Sequence, residues 1–592
     1  MKLRLFALTL LLMPTASSFA QDVPVPAPLE YGRVLDIEKR RVVTADKKVS
    51  DATMTCDILI VGGGLGGVAA AEAAAARGYS VIITEPTKTI GGQLTSQLVC
   101  PPDENSHIEK PNGPSTARWR ALREQVRAYY AKLPGIVPGR EKNVGACWVS
   151  RISAMPDIWE KAIRDRLAPQ MEASRIKKIL TRHQIRSVAR LSGNGRFNYA
   201  DFVDLDTGKV TRIGATFLLD ATEDGIAMTL AGLPTVIGQE AQSDYQEPHA
   251  PEVAHPEWVQ SFTYCFLMKW EAQAAAMQVE RPKEYDYFNG LGEYTLDYVY
   301  RGQTPEPFSV TYKVLEKTTA PTPLGDRNYL PFWTYRRLLA ADSFAGGMVP
   351  VGDVALINWR GNDFHEESYL DKPLDEQVRI LERGRQFAQG FASWLQTECP
   401  RDDGMGKGYP EMRLLTGAEQ PGVGDDGFAL HPYIRESRRL KARFTLNENH
   451  LLAPKDNPAA KWGTLFEDSV GAALYSIDIH PNKAEQPLLV PALPHHIPLG
   501  AFLTESGPAN VIPASKNIGM SRLAAASARM HPTEWLCGEI AGSLAAFCIE
   551  KQVFDPSAVR DAPPLLNQFR QSLQKQGVTL DWTGVLGTPE TK

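Results

Sequence analysis

The seven cysteines of this chain, Cys56, Cys100, Cys147, Cys265, Cys399, Cys537 and Cys548, include no C-x-x-C pair and no haem-attachment motif. That spacing excludes an iron–sulfur cluster, a covalently held haem and a redox dithiol as electron carriers. Their odd number leaves at least one thiol free or paired with another molecule. Also missing is any stretch beyond the N-terminus that is long and apolar enough to span a bilayer, which takes about 20 residues. The formal charge is only -5 over 592 residues, so the surplus of Lys and Arg that a nucleic-acid surface needs is absent. There is no internal repeat and no low-complexity tract. With 43% hydrophobic and 22% charged residues, the composition excludes disorder, and the length predicts more than one domain.

What is present begins with an address. Lys2 and Arg4 precede an apolar run, Leu5 to Met13, and Ser18-Phe19-Ala20 ends in small residues. This is the pattern of a cleaved export signal over 1–20, and it predicts a periplasmic or secreted protein with no integral membrane segment in the mature chain. No Arg pair precedes the apolar run, which favours the general secretory route. A Pro-rich linker follows at 21–32. If electrons move in this protein, a bound organic cofactor must carry them.

The most informative stretch runs from Cys56 to Glu85, CDILIVGGGLGGVAAAEAAAARGYSVIITE. Asp57 to Val61 reads as a buried strand, Gly62, Gly64 and Gly67 satisfy G-x-G-x-x-G, and Val68 to Arg77 is rich in alanine and helix-forming. A second strand, Ser80 to Thr84, ends at Glu85. The first glycine permits the tight turn, the second lets the backbone approach a pyrophosphate, and the third lets helix and strand pack closely. Amide hydrogens at the helix start favour the phosphates, and Glu85 can accept hydrogen bonds from a ribose. Gly91 and Gly92 follow six and seven residues after Glu85, in the manner of a second glycine turn that approaches the ADP part of FAD. FAD is therefore expected over NAD, since an exported protein meets no soluble nicotinamide pool.

At this point the chain resembles the bacterial FAD-dependent oxidoreductases with a glutathione-reductase-type flavin fold. The resemblance extends over IGGQLTSQ (90–97), GACWVSR (145–151), LLDATEDG (218–225), INWRGNDF (357–364), PYIRESRRL (432–440), DSVGAALYSIDIHP (468–481) and the long block NVIPASKNIGMSRLAAASARMHPTEWLCGEIAGSLAAF (510–547). It implies an α/β fold with a discontinuous Rossmann-type FAD-binding domain formed by 55–100, 145–235 and 495–552. An α+β substrate or cap domain would be inserted at 101–144 and 236–494, with a C-terminal tail at 553–592. Asp220, Ala221, Asn517 and Gly519 are then expected near the flavin. Two departures stand out. Gly225 is followed by Ile226 where related proteins carry a Gly-Asp pair, and Cys100 has no partner for the redox pair of the disulfide reductases.

The flavin carries the difficult step, so the protein has to place a substrate and manage a proton. His531, His480 and Glu223 are the candidate proton handlers, with His531 first because it stands before a helix that should face the flavin. The basic run Arg435, Arg438, Arg439, Lys441 and Arg443 reads as a solvated face with one arginine in an ion pair, or as a carboxylate clamp led by Arg435. Arg522 and Arg529 are further candidate substrate contacts, Trp148 and Trp359 candidate pocket walls, and 400–427 a surface loop long enough to act as a lid. No metal-ligand cluster is expected. The expected activity is oxidation of a small organic substrate by hydride transfer to flavin N5, with electrons passed to oxygen, a quinone or a cytochrome in a respiratory chain. The alternatives are a flavin-dependent isomerase or lyase, and a flavin-binding accessory protein without turnover.

Overall fold

The computed structural model describes residues 23–24 and 32–586, apart from short stretches at 50–52, 106, 111–112, 194, 272–276, 305, 324, 348–351 and 455–456. The expected export signal lies outside the described residues. Met54–Val61 forms the centre of a parallel sheet. Val81–Glu85 and then Ile176–Thr181 add to one side of it, and Val210–Asp220 and then Val511–Pro513 to the other, all parallel. The long strand Val210–Asp220 serves three partners. Its first half pairs antiparallel with Phe197–Asp204, which continues into His183–Arg190, while its second half lies beside Met54–Val61 and Val511–Pro513. The central strands are apolar along their whole inner length because helices or the meander cover both faces: Ile58, Leu59, Ile60, Val81, Ile83, Phe217, Leu218 and Leu219 are buried.

Two helices pack against each other beside this sheet, Leu65–Ala76 and His531–Glu550. Their contact is made by small residues. A Cβ on Gly538 would overlap the carbonyl oxygen of Gly66, and one on Gly542 would overlap that of Ala70. Position 66 thus faces 538, and position 70 faces 542, so the helices run parallel and begin at the same end. Both N-termini, with unspent N–H groups and the positive ends of their dipoles, point the same way, and the second helix begins nearly two turns beyond the first. Helix Ala117–Tyr130 and helix Pro563–Lys575 contribute Trp119, Leu122, Phe569 and Leu573 to the same core. So do Val470, Ala473, Ile477 and Ile479 from the region before residue 495.

A second core forms around a four-stranded antiparallel sheet, in the order Arg337–Leu339, Val354–Ile357, Phe266–Trp270 and Met412–Leu414. The 24-residue helix Leu374–Thr397 covers it through Ile380, Leu381, Phe387 and Phe391. Gly384 admits the ring of Phe262 and Gly390 that of Tyr294, so the helix sits close on its aromatic neighbours. The four-stranded sheet and this helix form a layer beside the nucleotide-type sheet, whereas Trp119, Leu122 and residues 470–479, expected in the substrate domain, pack in the first core. None of the helices formed by the described residues is long and apolar enough to cross a membrane, and all seven cysteines are free thiols.

The helix pair has little room for growth. Gly538→Val should destabilise the protein by about 3 kcal/mol or more, because overpacking a closed interface forces backbone shifts. Thermal unfolding would register this as a clear fall in Tm, and an unchanged Tm would remove the glycine contact from the account of the fold.

Candidate functional site

The turn between Met54–Val61 and Leu65–Ala76 is closed by glycines with specific duties. Gly62 has φ +100°, a conformation that L side chains rarely adopt, and a Cβ there would overlap the carbonyl of Ala221. Gly67 leaves space for the carbonyl of Gly62, which brings helix and turn together. Gly91 has φ +112°, and its N–H donates to the carbonyl of Gly63 at 2.8 Å, so the second glycine turn is fastened to the first. Gly64 and Gly92 face each other across a narrow space. A Cβ on Gly64 would come 2.9 Å from Glu223 Oε1, and one on Gly92 would come 3.0 Å from the same atom.

Glu85 closes one side of this cradle. It accepts hydrogen bonds from the Gly63 N–H at 2.8 Å and from Thr87 N–H and Oγ1 at 2.9 and 2.7 Å. A carboxylate has room for about four such bonds, so capacity remains for a ligand hydroxyl. Burial, with Glu223 adding to it, raises its pKa to about 7. Asp220 accepts from Thr222 N–H and Oγ1 and from Met228 N–H at 2.7 Å, which ties the turn after the strand to helix Ile226–Ala231. Burial pushes Asp220 up to about 6. Ala221 donates to the Val61 carbonyl at 2.8 Å, and Asn517 donates to the Asp220 carbonyl at 3.0 Å. Gly62, Gly64, Gly67, Glu85, Gly91, Gly92, Asp220, Ala221 and Asn517 are therefore brought together. Most of them also line a cavity of about 50 Å³ that extends past Gln184, Tyr369 and His431.

Gly519 is a correction. Its N–H donates to the Ala501 carbonyl at 2.8 Å, and its Cα packs against Ala442 and Phe444, so it fastens the C-terminal segment to the chain at 442–446 instead of facing the glycine turn. The turn at 222–226 also differs from expectation. Thr222 Oγ1 and Asp224 Oδ1 accept the Ile226 N–H, while Glu223 points into the glycine cradle and takes no part in capping.

Residues 57–573 match the family described as FAD dependent oxidoreductase. The chain belongs to this family. Among solved structures, a geranylgeranyl bacteriochlorophyll reductase-like protein from Thermoplasma acidophilum is 10% identical at a TM-score of 0.29, with 90% of this chain and 86% of that one covered. The myxobacterial chondrochloren halogenase CndH is 16% identical over 36% of this chain and 44% of its own, at a TM-score of 0.21. Adenylylsulfate reductase from Archaeoglobus fulgidus is 18% identical over 31% and 34%, at 0.19. No curated protein sequence gives a significant match. The protein is an FAD-dependent enzyme, and the cradle's chemistry fits that cofactor. Glycines leave backbone free beside a helix start for the diphosphate, and Glu85 stands at the strand end for the ribose.

Beneath the cradle lies a buried charge cluster that sequence reasoning did not single out. Lys516, 1% exposed at the side chain, pairs with Glu223 and lies 3.8 Å from Glu534. Glu534 accepts from Ser515 Oγ at 3.1 Å and Gly66 N–H at 3.4 Å, and Gln93 bridges it to the Arg529 carbonyl. Burial works to raise the pKa of Glu223, yet the Lys516 ammonium holds it below the usual carboxylate range. Glu534 is pushed up by burial. The signal for Lys516 was a lone cation inside the apolar strand-and-turn segment VIPASKNIG.

The remaining candidates divide sharply. His531 accepts from the Asp103 N–H at Nδ1, 3.1 Å, and Nε2 meets the Val99 carbonyl at 3.0 Å. Burial lowers its pKa to about 4, so it is a neutral ring held by backbone, and the expectation that it handles a proton is corrected. Arg522 is fully buried among Glu436, Glu485 and Gln239, a structural junction with no free donor edge. The basic run is solvated only at Lys441 and Arg443: Arg435 pairs with Asp363, Arg438 with Asp371 and Arg439 with Glu240 and Glu436, and these three arginines are buried.

His480 and Arg529 do meet. His480 Nδ1 lies 2.6 Å from Asp363 Oδ2, and Nε2 lies 3.5 Å from Asp478 Oδ2. Arg435 and Thr263 hold the other oxygen of Asp363, and Arg529 binds Asp478 at 3.0 Å and Tyr433 Oη at 2.6 Å. Burial opposes ionisation of Asp363, but Arg435 and His480 bring its pKa to about 2. Asp478 is likewise held well below the usual range by His480 and Arg529. Tyr298, Tyr335 and Tyr475 stand around Asp478, their phenols raised by burial, and Trp148 packs on Tyr335 with ring centres 4.6 Å apart. His480 and Asp478 keep 23% and 16% of their side-chain surface exposed. Trp359, by contrast, is buried in the second core.

Gly64→Asp would add a carboxylate where Glu223 already stands and where the diphosphate is expected. The purified variant should be colourless and should not regain flavin absorbance with added FAD; a yellow variant would move the cofactor elsewhere.

Proposed function

We propose that this enzyme is exported and oxidises a small, uncharged, hydroxyl-bearing organic substrate by hydride transfer to flavin N5, with electrons leaving to oxygen, a quinone or a cytochrome. The reading is carried by His480, a partly exposed ring set between two ionised carboxylates. Asp363 accepts from Nδ1 and so fixes the ring with Nε2 turned toward Asp478. When bound, FAD supplies the two-electron acceptor for a hydride.

The residues of the chain then have simple tasks. His480 Nε2 takes the hydroxyl proton as the C–H bond breaks and the carbonyl forms, and the imidazolium so created faces Asp478 as well as Asp363. Arg435 fixes Asp363, and Arg529 fixes Asp478. Tyr298, Tyr335 and Tyr475 exclude water and orient the substrate. Charge balance favours a neutral substrate, because Arg336, Arg435 and Arg529 are already paired with Asp103, Asp363 and Asp478. A substrate carboxylate would have to break one of these buried pairs, which costs several kcal/mol. Gln93 links the two halves of the site, since it bonds both Glu534 under the glycine cradle and the backbone of Arg529.

Anaerobic addition of a panel of alcohols, sugars and hydroxy acids to the mature, FAD-loaded protein should bleach the flavin with at least one uncharged member. His480→Asn should slow that bleaching about 10²–10⁴-fold while leaving flavin content unchanged. Failure of every compound to bleach the flavin would overturn the redox reading, and bleaching by hydroxy acids alone would overturn the preference for a neutral substrate. Export predicts that protein recovered from outside the cytoplasm begins at Gln21, which intact mass measurement would show.

A further inference from the structure

We propose that Lys516 is the buried counter-cation of the FAD diphosphate, and that Glu223 holds this ammonium until the cofactor arrives and competes with the diphosphate for it. The inference starts from an imbalance at the glycine turn. Glu85, Glu223 and Glu534 all border it, and among the described residues the cation in contact with Glu223 is Lys516. A helix start and glycine amides favour phosphate, but a diphosphate entering beside an ionised Glu223 meets like charge.

The position of Glu223 makes the competition specific. One carboxylate oxygen pairs with Lys516, while Oε1 makes no hydrogen bond within the described residues, although the Gln97 amide is close enough to favour the ionised form. That unspent oxygen is the atom that stands 2.9 and 3.0 Å from the Cβ positions of Gly64 and Gly92. It therefore lies in the space those two glycines keep clear. A buried anion with a free oxygen, in a cradle built for an anion, marks where the phosphate oxygens belong. Lys516 cannot reach solvent, and burial alone would lower its pKa. Glu223 and Glu534 instead raise it, so it is charged when the cofactor binds. Glu223 is thus no proton handler for the substrate but the ion that occupies Lys516 until the diphosphate displaces it, while Glu534 stays beside the ammonium as a second carboxylate.

The inference rests on FAD lying at the glycine turn, which Gly64→Asp tests separately. Flavin-stripped mature protein is titrated with FAD, ADP and adenosine, with binding read by quenching of flavin fluorescence and by calorimetry, and native folding is checked by circular dichroism. Glu223→Gln keeps the shape and removes the charge. It should tighten FAD and ADP about 10-fold and leave adenosine, which carries no phosphate, unchanged. Lys516→Gln should weaken FAD and ADP at least 10-fold, and Lys516→Arg should restore most of that loss. If Lys516→Gln does not fold, the glutamate variant decides alone. Unchanged or weaker FAD binding by folded Glu223→Gln, an equal gain for adenosine, or wild-type affinity in folded Lys516→Gln would each overturn the proposal.

Discussion

The structure depends on how closely two helices approach each other. Gly66 and Gly538 meet backbone to backbone, Gly542 meets Ala70 in the same way one turn further on, and the pair runs parallel. No larger residue would allow this spacing, and no antiparallel pair would point two N-termini the same way. The result is a region of positive potential made from backbone alone. Everything bound there by charge, including Glu534 in the first turn of the second helix, answers to that geometry.

Around it the protein buries several matched ions. Lys516 stands between Glu223 and Glu534, Arg439 between Glu240 and Glu436, Arg522 between Glu436 and Glu485, and Arg435 against Asp363. Such pairs add little net stability, because desolvation offsets their attraction, but losing one partner leaves a costly buried charge. At two of them the cation keeps a carboxylate ionised against burial, Lys516 for Glu223 and Arg435 for Asp363. The line from Gln93 through Arg529 to Asp478 and His480 is a run of polar contacts from the glycine turn to the His480 ring.

Membership of the FAD dependent oxidoreductase family accounts for the cofactor side of this arrangement. The proposed catalytic side gathers side chains from several separate elements. Tyr298 comes from a hairpin strand, Tyr335 from a short helix, and Tyr475, Asp478 and His480 from the stretch Leu474–His480. Asp363 comes from the two-residue strand that pairs with Phe262–Thr263. Residues so far apart in sequence converge because the second core stacks its sheet against the long helix Leu374–Thr397 and turns its loops toward the flavin-binding layer.

The sequence by itself determined the nucleotide turn. Glycines, a strand on each side and a terminal glutamate are consecutive, and local backbone rules suffice to read Gly62, Gly64, Gly67 and Glu85 as one unit. The blocks that carry the family resemblance likewise announced the α/β layer and the cofactor. Only the tertiary structure decided which ionisable side chains are spent and which are free. His531 looked available from its place before a helix, yet Asp103 and Val99, more than 400 residues away, occupy both its nitrogens. The arginines of 435–439 looked solvated, yet carboxylates from remote loops bury them. Hydrogen-bond and ion-pair partners are set by packing across the whole chain, and a linear pattern carries the donors and acceptors without saying which of them meet.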